Sequence, residues 1–308
     1  MKTTELNLPS QGWVHHRMNY LGGSDVAAAL GRSPYKTPLQ LWLEKTGRQE
    51  PEVSNSVAEF GQVFEPVMAA KFQQQTGMRL RNITEPYQHQ KHPFLRANID
   101  RQIVSGPNRS TGVLELKTTT SWRLKALDGD YPDDWYDQLQ HYLMLTGYDY
   151  AYLFVFERDT AEYHHPKLIE RDKGRIKQNT DRLIEWWHRY VVQDQPPEPV
   201  NTDDTLLLYP ESHDSVVTEA SEHVLAQLHN LRKIKDRKKE LDQQEEALKT
   251  TIQEYMGSAE KLVYGGQTLA TWKNQQSVRL DSRKLKQEQP DIYQKFSQTN
   301  HTRRFTLK

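Results

Sequence analysis

The sequence predicts a mixed α/β domain of the α+β kind, followed by a helical and small-strand appendage. Three observations carry that expectation. Apolar residues recur at helical spacing over residues 24–30, 37–46 and 59–75, then at strand spacing over 96–104 and 113–118. A helix-period segment (135–146), a short apolar run (150–157) and another helix-period segment (175–192) follow. Behind them Gln195-Pro196-Pro197-Glu198-Pro199 reads as a linker, dividing the chain into residues 1–195 and 196–308.

Taken in order, Ser24 and Asp25 are cap-type residues, Val26-Ala27-Ala28-Ala29-Leu30 propagates a short helix, and Gly31 stops it. Thr37-Pro38 opens a second helix with Leu39, Trp42 and Leu43 on one face and Gly47 past its end. The third is expected to bury Phe60, Val63, Phe64, Val67 and Phe72 and to stop at Gly77. The two strands flank the turn cluster Ser105-Gly106-Pro107-Asn108-Arg109-Ser110-Thr111. Gly147 closes the helix over 135–146, and Trp186 and Trp187 on the last helix read as core. In the appendage, 219–256 is helical and highly charged. Its apolar positions Leu231, Ile234, Leu241, Leu248, Ile252 and Tyr255 make a heptad broken by Lys238 and Glu245. That pattern favours a helical hairpin, or a helix packed on a neighbour, over a long coiled coil. Residues 263–272 and 303–307 read as strands of a small closing sheet.

Composition narrows the function classes. The 308 residues carry 41 Lys and Arg against 41 Asp and Glu, so the net charge is zero. Proteins that coat nucleic acid are usually basic overall, so any contact with DNA has to come from a local patch. The absence of cysteine excludes disulfides, thiol nucleophiles and Cys-ligated zinc. Only 35% of residues are hydrophobic, yet 7 Trp, 15 Tyr and 8 Phe suffice for a core. The longest apolar run, 151–156, is far below the ~18 residues of a membrane span, and residues 1–17 have no apolar stretch of the secretory kind. A soluble, intracellular protein without a membrane partner is therefore expected.

Chemistry concentrates in Ala97-Asn98-Ile99-Asp100 and Val113-Leu114-Glu115-Leu116-Lys117. Strand alternation puts Glu115 and Lys117 on one face and Leu114 and Leu116 on the other. An antiparallel hairpin with its tip at Pro107-Asn108 sets Asp100 opposite Glu115, with Cβ atoms about 4.5–5.5 Å apart. Two carboxylates so close repel, and one is pushed toward its protonated form. A hard divalent cation resolves the conflict, since Mg²⁺ binds through one or two carboxylates plus water and phosphate oxygens. Lys117, on the same face, can orient an attacking water or neutralise a phosphate. A Glu-x-Lys on an exposed strand is otherwise an ordinary solvated face.

These residues resemble the PD-(D/E)xK nuclease motif, with Ile99 in place of its proline. Further segments resemble the YqaJ-type viral recombinases, relatives of phage lambda exonuclease: Leu21-Gly22-Gly23-Ser24-Asp25-Val26, Ser33-Pro34-Tyr35-Lys36-Thr37-Pro38-Leu39, Gly61 with Glu65-Pro66, and Gln138-Leu139-Gln140-His141-Tyr142. With the Asp100 and Glu115 segments they stand in family order between residue 17 and about 156, roughly half the chain.

The resemblance implies a restriction-endonuclease-like core, a mixed central sheet flanked by helices. It also implies a magnesium-dependent 5′-to-3′ exonuclease on linear double-stranded DNA, leaving 3′ single strands for a single-strand annealing recombinase. The setting would be a phage or prophage function in the bacterial cytoplasm.

Asp100, Glu115 and the Leu116 carbonyl would ligate two Mg²⁺ ions (Mn²⁺ as substitute), Glu65 would complete the acidic ring, and Lys117 would position the water. Gln138 and Tyr142 share a helix face beside that site, and Gln140 offers a rival alignment. Arg17 and Ser24 match the family residues that hold the 5′-phosphate; otherwise they are a surface charge and a helix cap.

A homo-oligomer, a trimer in the lambda relative, is implied too. Residues after 199 lack a counterpart in that compact enzyme and read as an assembly or partner-docking region. The alternatives are a structure-specific endonuclease on the same core and an inactive interaction scaffold. The end anchor of Arg17 and Ser24 speaks against the first, and the intact Asp100, Glu115 and Lys117 set against the second. His15-His16, His89 with His92, and His164-His165 lack the spacing and acidic partner of a zinc hydrolase. The basic run 232–239 is interleaved with acid and reads as a solvated helix face.

Overall fold

The computed structural model describes residues 17–50, 56–106, 110–125, 131–213, 215–299 and 302–308. The hairpin tip at Pro107-Asn108 and the His15-His16 pair lie outside the described residues. The chain forms two compact units, residues 1–205 and 206–308.

In the first unit, helix α1 (Gly23–Ala29) is capped by Asp25 rather than Ser24: the Gly22 amide donates to Asp25 Oδ2 at 2.9 Å. Helix α2 (Pro38–Lys45) starts on a capping box, with Gln40 N donating to Thr37 Oγ1 at 3.1 Å and Thr37 N to Gln40 Oε1 at 2.9 Å. Helix α3 (Ser56–Thr76) buries Met68, Ala69 and Phe72, with Phe64 packed against the same cluster. Phe60, Val63 and Val67, expected inside, stay exposed at 40%, 52% and 50%. This helix carries apolar side chains on two faces, and the sheet covers only the stripe of residues 64, 68 and 72, spaced one turn apart.

The sheet runs β1 (Leu80–Arg81), β4 (Arg101–Ile103), β5 (Gly112–Thr119), β6 (Tyr150–Glu157), β7 (Glu162–Tyr163), with β8 (Lys167–Glu170) also paired to β6. Strands β5 and β6 are parallel, and α4 (Ser121–Lys125) and α5 (Asp133–Thr146) lie in their crossover; the remaining pairs are antiparallel. A second small ladder joins β2 (Tyr87–Gln88) to β3 (Arg96–Ala97). The strand expected over 96–104 is thus two strands in different ladders. The break falls where the Asp100 side chain, rather than a backbone carbonyl, accepts the Leu116 amide at 2.7 Å. Beyond the break the register is Arg101 to Leu114, Gln102 to Val113 and Ile103 to Gly112, which carries Asp100 opposite Glu115.

Alternation along β5 and β6 splits the core into two layers. Val113, Ala151, Leu153 and Val155 pack against Trp135, Leu139 and Leu143 of α5. Leu114, Phe154 and Phe156 pack against Met68 and Phe72 of α3. Each fully buried aliphatic or Phe side chain contributes roughly 1.5–3 kcal/mol. The same parity turns Glu115 and Lys117 toward α5.

Helix α6 (Lys173–Trp186) continues into a π-helical turn, Trp187–Val192, and both tryptophans at the junction are buried. A buried charge network ties α1, α5 and α6 together. Asp137, without solvent exposure, accepts from Arg32 at 2.6 Å, Arg175 at 2.6 Å and Asn179 at 2.7 Å. The proline-rich stretch falls within this unit, where Pro197 is buried. On α7 (Thr202–Leu208), which carries the unit boundary, buried Asp204 accepts from Thr37 Oγ1 at 2.8 Å.

In the second unit, α8 (Glu222–Met256) is one 35-residue helix rather than a hairpin, and Met256 is its one buried residue. No glycine or proline falls between residues 222 and 256 to turn the chain. The expected strand over 263–272 is a hairpin, β9 (Lys261–Tyr264) and β10 (Gln267–Thr271), turned at Gly265-Gly266 with φ of 57° and 83°. Residues 303–307 form no strand; α9 (Ser282–Glu288) and α10 (Pro290–Phe296) complete the unit. No described helix is long and apolar enough to cross a membrane.

His141 on α5 gives the first unit a defined acid response. It is 4% exposed, its Nε2 lies 3.0 Å from the Arg96 carbonyl, and Nδ1 has no partner among the described residues. Burial pushes its pKa from 6.5 down to about 4. Between those values the unfolded chain takes up a proton that the native state refuses, so stability falls as pH drops through that window. Urea unfolding at pH 7, 5 and 4 should show up to about 3 kcal/mol of loss from this group, and a shallower acid limb in His141→Gln.

Candidate active site

The β4–β5 register, the Asp100 bend and the face of α5 bring five side chains of the first unit together. Lys117 Nζ lies 2.7 Å from Glu115 Oε1 and donates to Gln138 Oε1 at 2.8 Å. The Gln138 amide donates to Glu115 Oε1 and to the Tyr142 hydroxyl oxygen, both at 2.7 Å. Asp100 Oδ2 holds the Leu116 amide. Gln138 and Tyr142, one helical turn apart, therefore both face the strand. Gln140 points away and secures the start of α6, donating to the Glu170 carbonyl at 2.8 Å and accepting the Asp172 amide at 2.9 Å.

The electrostatics follow from burial. Asp100 is held well above the usual carboxylate range, first by desolvation and then by the charges of Glu115 and Glu65. Burial opposes the charge on Lys117, but Glu115 and Asp100 outweigh it and raise its pKa, so the ammonium stays protonated. Burial, with Glu115 and Asp100 nearby, pushes the Tyr142 hydroxyl well above its ordinary value. Glu115 is 3% exposed, and its Oε2 is buried with no hydrogen-bond partner among the described residues.

That orphaned oxygen, the Asp100 carboxyl with its raised pKa and the neighbouring Leu116 carbonyl are a hard-oxygen donor set suited to a divalent cation. Among the described residues no three His, Asp or Glu side chains are grouped closely enough to form a metal cage. Any ion would thus rest on Asp100, Glu115 and the Leu116 carbonyl, with water completing its shell. Glu65 lines the same cleft but is ion-paired with Arg101. Sequence reasoning did not single out Arg101, because its partner on α3 becomes visible only when the helix lies over the sheet.

The second predicted pair sits at the start of α1. Arg17 Nη2 donates to Ser24 Oγ at 2.7 Å and lies 3.8 Å from Asp25 Oδ1. The buried Lys45 ammonium donates to Asp25 Oδ2 and to the Arg17 carbonyl, both at 2.8 Å. Lys45 and Arg17 overcome desolvation and keep Asp25 below its normal pKa.

Gly23 links this corner to the Asp100, Glu115 and Lys117 cluster. A Cβ built there would stand 2.3 Å from the Tyr142 ring, so α1 seats directly on the aromatic that bonds Gln138. The Gly22-Gly23 pair was the visible signal, but its reason was not.

This mixed sheet flanked by helices, with Asp100 ahead of the central strand and Glu115 and Lys117 on it, has the fold of a solved alkaline exonuclease. The alkaline exonuclease LHK-Exo in complex with dAMP superposes with a TM-score of 0.50 at 18% identity, over 60% of this chain and 94% of that one. The LHK-Exo structure from Laribacter hongkongensis gives 0.49 at 17% identity, over 60% and 94%.

The YqaJ-like viral recombinase domain matches residues 12–149. The uncharacterized protein YqaJ of Bacillus subtilis (strain 168) is 32% identical over 304 residues, 96% of this chain and 93% of that protein. The chain belongs to the YqaJ-like viral recombinase family.

Gly23→Ala should lower the unfolding free energy by about 1–3 kcal/mol through overpacking against Tyr142. In a Tyr142→Ala background the same substitution should cost much less, which a double-mutant cycle by urea denaturation reads directly.

Proposed function

We propose that this chain is a metal-dependent 5′-to-3′ exonuclease on linear double-stranded DNA, leaving 3′ single strands for a single-strand annealing recombinase. The observation that carries the reading is the Asp100, Glu115, Lys117 and Gln138 cluster, whose Asp100 and Lys117 line a cleft of about 550 Å³ and whose buried Glu115 Oε2 has no partner among the described residues. Family membership and the exonuclease fold support it.

Mg²⁺ ions, two per site or Mn²⁺ in their place, would sit on Asp100, Glu115 and the Leu116 carbonyl and supply charge neutralisation and an acidified water. Lys117, held charged, orients the attacking water and meets the scissile phosphate. Gln138 is a positioning residue that fixes Glu115 and Lys117 together, and Tyr142 holds its amide. Glu65 adds negative charge near Asp100, tempered by Arg101.

Arg17 and Ser24 form the 5′-phosphate anchor in this reading. Lys45 and Arg17 together compensate Asp25, and the Arg17 guanidinium, held beside Ser24 Oγ, has the fork geometry that suits a phosphate. An anchor for one end sets the direction of digestion and spares circles. Residues 206–308 form the assembly or partner-docking region of a homo-oligomer, a trimer by analogy, acting in the bacterial cytoplasm.

With Mg²⁺ the protein should shorten linear duplex stepwise from 5′-phosphorylated ends and leave covalently closed circles intact. Lys117→Ala should lose at least a hundredfold in rate. Arg17→Ala should slow digestion of 5′-phosphorylated ends and leave 5′-hydroxyl ends unaffected. Cut circles would move the reading to an endonuclease; no metal-dependent cleavage by the wild type would overturn it.

Deleting residues 210–308, which spares Asp204, should change the oligomeric mass or the binding of an annealing protein in light scattering and pull-down. A truncated protein matching the full chain in both would remove that role.

A further inference from the structure

Asp100, Leu116 and Lys117 occupy one part of the cleft, and the remaining wall carries features that cleavage chemistry does not use. Tyr35 and Trp122 line it and are 71% and 78% exposed. Rings this open on the wall of a cleft offer a bound ligand apolar faces to cover.

Both are built in rather than dangling. The Arg123 guanidinium lies 4.9 Å from the centroid of the Tyr35 ring and 5.0 Å from that of buried Trp135. It also hydrogen-bonds the Tyr35 hydroxyl and is bound to Asp134 Oδ2 at 2.9 Å. The contacts make a layered tyrosine, arginine, tryptophan arrangement whose last member is anchored in the core. Trp122 follows Ser121, whose amide and hydroxyl donate to the Asp159 carboxylate at 2.9 and 2.5 Å. The start of α4 is therefore pinned to the turn after β6, and Trp122 is held on a helix five residues beyond Lys117. Arg158 lines the same cleft and adds positive charge.

An exposed tyrosine held by Arg123 and an exposed tryptophan on a helix pinned at its start, lining one cleft with Arg123, Arg158 and Lys117, are the elements of a single-strand stacking platform. We propose that Tyr35 and Trp122 stack on unpaired bases of the strand being digested and hold them apart from the duplex while Lys117 faces the scissile phosphate. The ligand class is an unpaired nucleotide segment, with base identity unimportant, since every base offers a π-face. This inference rests on the nuclease reading above.

The test places 2-aminopurine at each of the first four positions of the 5′-phosphorylated strand of a linear duplex. Fluorescence and affinity are measured with full-length Lys117→Ala protein, which leaves the DNA intact, and digestion with the otherwise wild-type chain. Binding should change the fluorescence at one or two adjacent positions. Trp122→Ala and Tyr35→Ala should abolish that change and weaken binding roughly five- to a hundredfold, the range of a lost stacking contact. Trp122→Phe and Tyr35→Phe should retain most of both. In digestion the alanine variants should raise KM for fully paired ends more than for ends carrying an unpaired 5′ tail. Both positions are exposed, so their thermal unfolding should match the wild type.

Cleavage by the wild type together with unchanged fluorescence, affinity and KM in the alanine variants overturns the platform and leaves the nuclease intact. A wild-type chain that neither binds nor cleaves DNA overturns both.

Discussion

Asp100 and Glu115, facing each other at the end of the β4–β5 ladder, impose the constraint on which the rest of this site depends. Two carboxylates cannot be buried and charged together without compensation, and the protein meets that demand in three ways. Desolvation and its acidic neighbours keep Asp100 toward its protonated form. Lys117 brings a full positive charge to Glu115 at 2.7 Å. Gln138 donates to Glu115 with one end of its amide and accepts Lys117 with the other. Among the described residues one carboxylate oxygen still has no partner.

Helix α5 connects the parts. Its sheet-facing side supplies Trp135, Leu139 and Leu143 to the core and, in the same stripe, Gln138 and Tyr142 to the site. Its opposite side carries Asp137, which binds Arg32, Arg175 and Asn179 and so fixes α1 and α6 against it. Gly23 brings α1 onto the Tyr142 ring with no room for a side chain. The Arg17 and Ser24 corner is therefore placed relative to Glu115 through rigid contacts.

Much of this was legible along the chain because it depends on local periodicity. Period-two alternation set the faces of β5, and the length of the intervening segment set the register of Asp100 against Glu115. Capping residues and glycines marked most helix ends. Where two readings were equally local, the sequence was silent. Gln138 and Gln140 both fit a Gln-containing helix, and only the direction of α5 over the sheet separates them. Phe60, Val63 and Val67 look as apolar as Phe64 and Phe72, yet the sheet covers one face of α3 and not the other. Ser24 and Asp25 both qualify as caps, and the chain path before α1 gives that role to Asp25.

The sequence by itself thus determined the chemistry available: two acids, a lysine and a glutamine at strand and helix spacings, and a chain that alternates in the way a mixed sheet requires. Tertiary structure alone decided the pairing of Glu65 with Arg101, the clash that reserves position 23 for glycine, the Lys45 compensation of Asp25, and the stacking of Tyr35 on Arg123 and Trp135. Each of those contacts joins residues from different elements. Their energy comes from burial and distance in space, which spacing along the chain does not encode.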